Sequence, residues 1–151
     1  MIVSADHRVA TALYLSLRDD PFYATIAADR GPGTMAFEST LVRYFEVALD
    51  EAETSGRLVV DPGGRAAAAW ALPVPPDAAR RARQAKERAL GETLGEAGLA
   101  AYRRIVAFMS DRARGQAPAD AWYLSIVGVA PEAQGRGLGR QVLDPTLAEL
   151  D

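Results

Sequence analysis

Helix-like and strand-like segments are grouped along this chain rather than strictly alternating, which predicts an α/β protein of the α+β kind. Three observations carry that expectation. Two helical stretches precede a two-strand hairpin signal centred on "DPGG". A long charged stretch of helical composition follows the hairpin. A late, nearly continuous apolar run, "WYLSIVGVA", then passes through the glycine-dense turn "QGRGLG" into another helical pattern.

The elements follow in order. In "SADHRVATALYLSLRDD", Val9, Leu13 and Leu17 recur four apart with Ala10 and Tyr14 beside them. That spacing predicts an amphipathic helix capped by Ser4 or Asp6. "DDPFYATIAADRGPG" holds two prolines and two glycines, and reads as a loop with a short helical turn. "TMAFESTLVRYFEVALDEAETSG" places Phe37, Leu41, Tyr44, Phe45, Ala48 and Ala52 on one helical face. Thr34 is positioned to cap its start and Gly56 its end. "RLVVDPGGRAAAAWALPV" reads as a hairpin, with Asp61 as a turn residue and prolines closing the second strand.

Residues 77–113 read as two helices broken near Gly91, Gly95 and Gly98, the second carrying Leu99, Tyr102, Ile105, Val106 and Met109. "RGQAPAD" is a loop. The apolar run after it predicts a strand buried on both faces. Gly128 inside it permits a bulge or a close backbone approach, and Pro131 ends it. Val142, Leu143, Leu147 and Leu150 give the last segment helical spacing, with Pro145 expected to kink it. Trp70, Trp122 and Tyr123 are expected in the core.

Length and composition bound the function. The chain of 151 residues suits one domain, with 49% apolar residues and no cysteine. It has no long uncharged apolar run and no signal-peptide layout, so a cytoplasmic protein away from membranes is the expectation. The net charge of −3 argues against nucleic acid as a partner. Of 17 Lys and Arg residues only Lys86 is lysine, which reads as the coding bias of a GC-rich genome. "ARRARQAKERA" reads as a solvated helical face.

A strand, a glycine turn and a helix together suit a phosphate group. Backbone N–H groups at the helix start point outward, the helix dipole favours negative charge, and glycines let the ligand come close. The P-loop string GxxxxGK[ST] is absent. Gly135, Gly137 and Gly139 give GxGxG, which is not the dinucleotide spacing GxGxxG.

Gln134, Gly137 and Gly139 do match Q/R-x-x-G-x-G/A, and with the strand "LSIVGVAPEAQ" before them the segment resembles the GNAT acetyltransferase superfamily. The specific part spans roughly residues 121–151. The order of elements from about residue 12 onward is similar to the puromycin N-acetyltransferase-like branch. That resemblance implies one partial domain over residues 1–151, with a mixed sheet flanked by helices. It implies acetyl-CoA as co-substrate, no metal, and acetyl transfer to a small-molecule primary amine. Ile126, Val127 and Val129 would pair with the pantetheine arm through their backbone and polarise the acetyl carbonyl. The N–H groups of Gly135, Arg136, Gly137, Leu138, Gly139 and Arg140 would hold the pyrophosphate, with Gln134 opening the turn. The arginine side chains at 136 and 140 fit a charged contact and a solvated surface equally well. Phe22 and Tyr23, in the first helix–loop–helix, would face the acceptor.

The chain also departs from that pattern. The family's fifth strand, and the helix after it that bears the thiolate-protonating tyrosine, have no counterpart here. A first strand is missing too. The sheet is therefore expected to be incomplete at the C-terminal side, completed by a further segment or by a second copy, and the catalytic acid is left unassigned. The base is unassigned as well. Glu38, Glu46 and His7 read as surface groups. A non-catalytic module that binds coenzyme A or oligomerises is the competing expectation.

Overall fold

The computed structural model describes residues 5–151. Its elements are α1 (Ala5–Leu17), α2 (Pro21–Ile26), α3 (Met35–Ser55), β1 (Arg57–Val60), β2 (Ala66–Ala71), α4 (Pro76–Ala113), β3 (Tyr123–Val129) and α5 (Leu138–Leu150). Short 3₁₀ turns occupy Ala28–Arg30 and Pro131–Ala133. The fold is α+β, as the segregation of elements predicts. The sheet has three strands in the order β1-β2-β3, and both pairings are antiparallel. The expected mixed sheet is thus antiparallel throughout the described residues. The tight hairpin reverses β1 into β2, and the long α4 excursion brings β3 back on the other side of β2.

Local chemistry explains the helix boundaries. Asp20 accepts from Phe22 N at 2.9 Å and starts α2, with Pro21 supplying a preset φ at the first position. Thr34 accepts from Phe37 N at 3.2 Å and starts α3. Asp6 lies inside the first turn of α1 rather than at its cap, and Ser4 lies outside the described residues. The hairpin turn is held by Asp61, whose Oδ2 accepts from Gly63 N, Arg65 N and Arg65 Nε at 3.1–3.2 Å.

The stretch 77–113 forms one helix with a single break. Only Gly95 leaves helical geometry, at φ 73° and ψ −177°, so Gly91 and Gly98 are not break points. The α2 end sits in that break. A side chain at Gly98 would come within 2.6 Å of the Ile26 carbonyl, and one at Gly95 within 3.0 Å of Arg30 Nη2.

The sheet separates two apolar layers. One face packs Ala67, Ala69 and Ile126 against α1, α3 and the middle of α4, where Leu13, Leu41, Phe45, Leu90 and Leu94 are sealed from solvent. The other packs Ala66, Ala68 and Trp70 against Leu138 and Val142 of α5. The four consecutive alanines of β2 let helices approach both faces closely. α5 runs unbroken through Pro145. Its far end is tied to β1 by a two-pronged contact of Arg57 with Glu149, and the Arg57 guanidinium stacks over Trp122 at 5.5 Å.

Candidate binding edge and glycine turn

β3 pairs only with β2 among the described residues, so its other edge is open. This corrects the expectation of a strand buried on both faces. Only Ile126 and Gly128 are buried, and Tyr123, expected in the core, is 59% exposed. Tyr123 begins an edge strand, where one side of the backbone and the flanking side chains meet solvent.

The hydrogen-bond phase of that edge is fixed. Ala130 N donates to Arg65 O at 2.7 Å, and Gly128 and Ile126 lie opposite Ala67 and Ala69. In an antiparallel ladder alternate residues turn their N–H and C=O to the same neighbour. Ile126, Gly128 and Ala130 therefore bond to the β2 side, while Val127 and Val129 present theirs to the open edge. Of the three strand residues named from sequence, Ile126 is already committed to the sheet. The Val129 carbonyl is also engaged: Gln134 Nε2 donates to it at 3.1 Å. Gln134 thereby folds the turn back onto the end of the strand.

Gly128 is not the bulge. The register slips between Ala69 and Trp70, which face Ile126 and Leu124, and the extra residue is Ser125. Gly128 serves α1 instead, since a Cβ there would lie 2.9 Å from Leu13 Cδ2 and 3.2 Å from Ser16 Oγ. The slip keeps facing residues in one layer, with Ala69 beside Ile126 on the α3 side and Trp70 beside Leu124 on the α5 side.

Beyond Pro131 the chain turns into α5. Gly135 and Gly137 both have φ 78°, a left-handed conformation that side-chain-bearing residues resist. A Cβ at either would meet nothing within 4 Å, so backbone conformation and open space, not crowding, call for glycine. Gly137 caps α5 without a side-chain hydrogen bond, and no acidic residue lies in the first turn. Gln141 N donates back to Gly137 O at 3.0 Å, so the N–H groups of Leu138, Gly139 and Arg140 precede the first helical bond. Leu138 buries its side chain under the sheet while its N–H stays at the helix start. Arg136 is exposed, and Arg140 only approaches Asp144 at 3.9 Å. Both cations stand beside a helix start that already favours negative charge.

Phe22 and Tyr23 are brought into an aromatic cluster. Their rings meet edge to face at 5.0 Å, and Tyr23 also packs on Tyr44 and Phe45 at 5.8 and 4.9 Å. Tyr23 is buried, whereas Phe22 is half-buried against Tyr44 and Tyr102. Burial first, then the Asp20 carboxylate and Tyr123, pushes the Tyr23 hydroxyl well above the ordinary phenol range. The cluster joins α2 to α3 and to the second half of α4. Behind it, Lys86 reaches Glu51 at 2.7 Å and Tyr102, joining α3 to α4. Burial alone would lower the Lys86 pKa; Tyr102 and Glu51 outweigh it and raise it.

Another cluster joins residues far apart in sequence. His7 Nδ1 meets Glu46 Oε1 at 2.8 Å, and Arg43 Nη1 meets Glu46 Oε2 at 3.2 Å. With Glu38 and Ser39 they line an open cavity of about 350 Å³ between α1 and α3. His7 also borders a cavity of about 670 Å³ with Arg8, Arg65, Ala130 and Glu132, at the C-terminal end of β3. The two clusters meet the same turn of α3, Tyr23 packing on Tyr44 and Phe45 while Glu46 turns to His7 on α1. Among the described residues no group of His, Asp and Glu is gathered to hold a metal, and no helix is long and apolar enough to cross a membrane.

Sequence reading missed Ser125, since a bulge depends on the partner strand's register. It also missed the His7–Glu46 contact, whose members are 39 positions apart. No family model matches the chain, and no curated protein matches it.

Proposed function

We propose that this chain binds acetyl-CoA and is an N-acetyltransferase of the GNAT kind, acting in the cytoplasm on a small-molecule primary amine. One observation carries the reading: the open backbone edge at Val127 and Val129 leads directly into a glycine turn whose helix-start N–H groups have no helical partner. A pantetheine arm has amides that can extend such an edge like an added strand, and a pyrophosphate suits the helix start.

In this reading the Val127 N–H and C=O and the Val129 N–H pair with the arm. The N–H groups around Gly137 to Arg140 hold the pyrophosphate, and Arg136 and Arg140 add positive charge nearby. The acyl group then lies toward the Tyr123 end of β3. A neutral amine attacks the thioester carbonyl there, the carbonyl oxygen gains negative charge, and the C–S bond breaks as the amide forms. The amine's proton is lost and the sulfur takes one up. Phe22, a half-buried member of the aromatic cluster, is the ring that an incoming acceptor meets.

Calorimetric titration with acetyl-CoA tests the reading. Saturable binding at one ligand per chain is expected, and it should be lost in Gly137→Glu, which adds strain at a positive φ and negative charge where phosphate sits. No heat from folded wild-type protein would reject it. A second reading follows from the same edge. β3 has no charged residue among its seven, so it lacks the usual guard against strand pairing. The chain would then be a non-catalytic module whose β3 edge is completed by a second copy or by a further segment. A sedimentation profile that shows self-association insensitive to acetyl-CoA would favour that alternative.

A further inference from the structure

The bulge in β3 singles out one side chain. Leu124 turns into the α5 layer and Ile126 into the α3 layer, and Ser125 between them is exposed. It is the polar residue in an otherwise apolar stretch, apart from the Tyr123 hydroxyl at the strand's start. A bulge at a sheet edge re-aims a side chain that regular pleating would have packed. Ser125 lies two residues beyond Val127, on the side away from the glycine turn. Ile126, the intervening residue, has its N–H committed to the β2 side and has none to offer a ligand.

We infer that the Ser125 hydroxyl donates a hydrogen bond to the acyl carbonyl oxygen of a bound acyl-thioester, an inference that rests on the acetyl-CoA reading. A ligand anchored at the glycine turn and extended along Val129 and Val127 brings its acyl end to the bulge. At that point the edge supplies a free hydroxyl in place of the Ile126 amide. The same hydrogen bond strengthens as the carbonyl oxygen takes up charge during attack, so Ser125 both recognises the acyl load and stabilises the oxyanion.

The test compares two probes by calorimetry, acetyl-CoA and coenzyme A without the acetyl group. Ser125→Ala should weaken acetyl-CoA by about 3- to 10-fold, the effect of one neutral hydrogen bond, and leave coenzyme A unchanged. Ser125→Thr keeps the hydroxyl and should restore the difference. An unfolding curve confirms that each variant folds. Equal affinity of wild type and Ser125→Ala for acetyl-CoA would overturn the inference while leaving the coenzyme reading standing. Equal weakening of both probes would also overturn it, showing a general role in strand shape. Failure of the wild type to bind either probe would overturn both readings together.

Discussion

The two faces of the sheet are built to different standards. On the α3 side, Leu13, Ile26, Leu41, Phe45, Leu90 and Leu94 are fully enclosed, and helices from three parts of the chain close over them. On the α5 side, Leu124, Val127, Val129 and Trp122 remain half-buried, and the adjoining β3 edge is open. That side also holds two buried polar atoms without a hydrogen-bond partner, Trp70 Nε1 and Thr146 Oγ1. Burial of the first kind supplies stability, whereas exposed backbone and unfinished packing leave room for something to bind. The proposed coenzyme edge lies on the unfinished side.

Substitutions should separate these regions by size of effect. Phe45→Ala removes a sealed ring and should cost about 3–5 kcal/mol in urea unfolding. Val127→Ala, on the half-open side, should cost only about 1 kcal/mol. Equal costs would mean that the two faces are packed alike. An effect of similar size and opposite sign is expected at the orphaned hydroxyl. Thr146→Val keeps the shape and removes an unsatisfied polar atom, so it should stabilise by about 1 kcal/mol. A loss of stability would show that Thr146 holds a partner, such as an ordered water.

The smallest effect is electrostatic. Hydrogen bonding from Arg57 holds the Glu149 carboxyl below its ordinary value of 4.5. A depressed carboxyl stabilises the folded state above that value, and the contribution is lost as pH falls through the folded pKa. Acid should therefore loosen the attachment of α5 to β1. The melting temperature of Arg57→Ala should fall less than that of wild type between about pH 5 and pH 3. Parallel curves would show that the contact adds nothing, a common outcome for exposed pairs.

The sequence was most legible where structure is local. Thr34 precedes its helix by the right interval, and the spacing of Phe37, Leu41 and Phe45 specifies the buried face of α3. The glycine turn was legible for the same reason: positive φ at Gly135 and Gly137 is a property of the turn itself. What failed depends on neighbours. The run "WYLSIVGVA" suggests full burial, but an edge strand buries only two of its residues even with α1 against one face and α5 against the other, and composition cannot reveal that. Gly128 permitted a bulge or a close approach, and only the neighbours decide between them: its missing Cβ makes room for the Leu13 and Ser16 side chains, while the slip falls at Ser125. The His7–Glu46 contact depends on α1 lying along α3, which neither helix's own pattern encodes.

The central claim is that β3 carries a binding edge with alternating function, Val127 and Val129 turned outward and Ile126 and Gly128 turned into the sheet. Backbone amide NMR during titration with acetyl-CoA tests it most directly. Val127 and Val129, together with Leu138 to Arg140 at the helix start, should shift strongly and gain protection from hydrogen exchange. Ile126 and Gly128 should move little, because their N–H groups already bond to β2. Shifts confined to residues around His7 and Glu46, or no shifts along β3, would contradict the account.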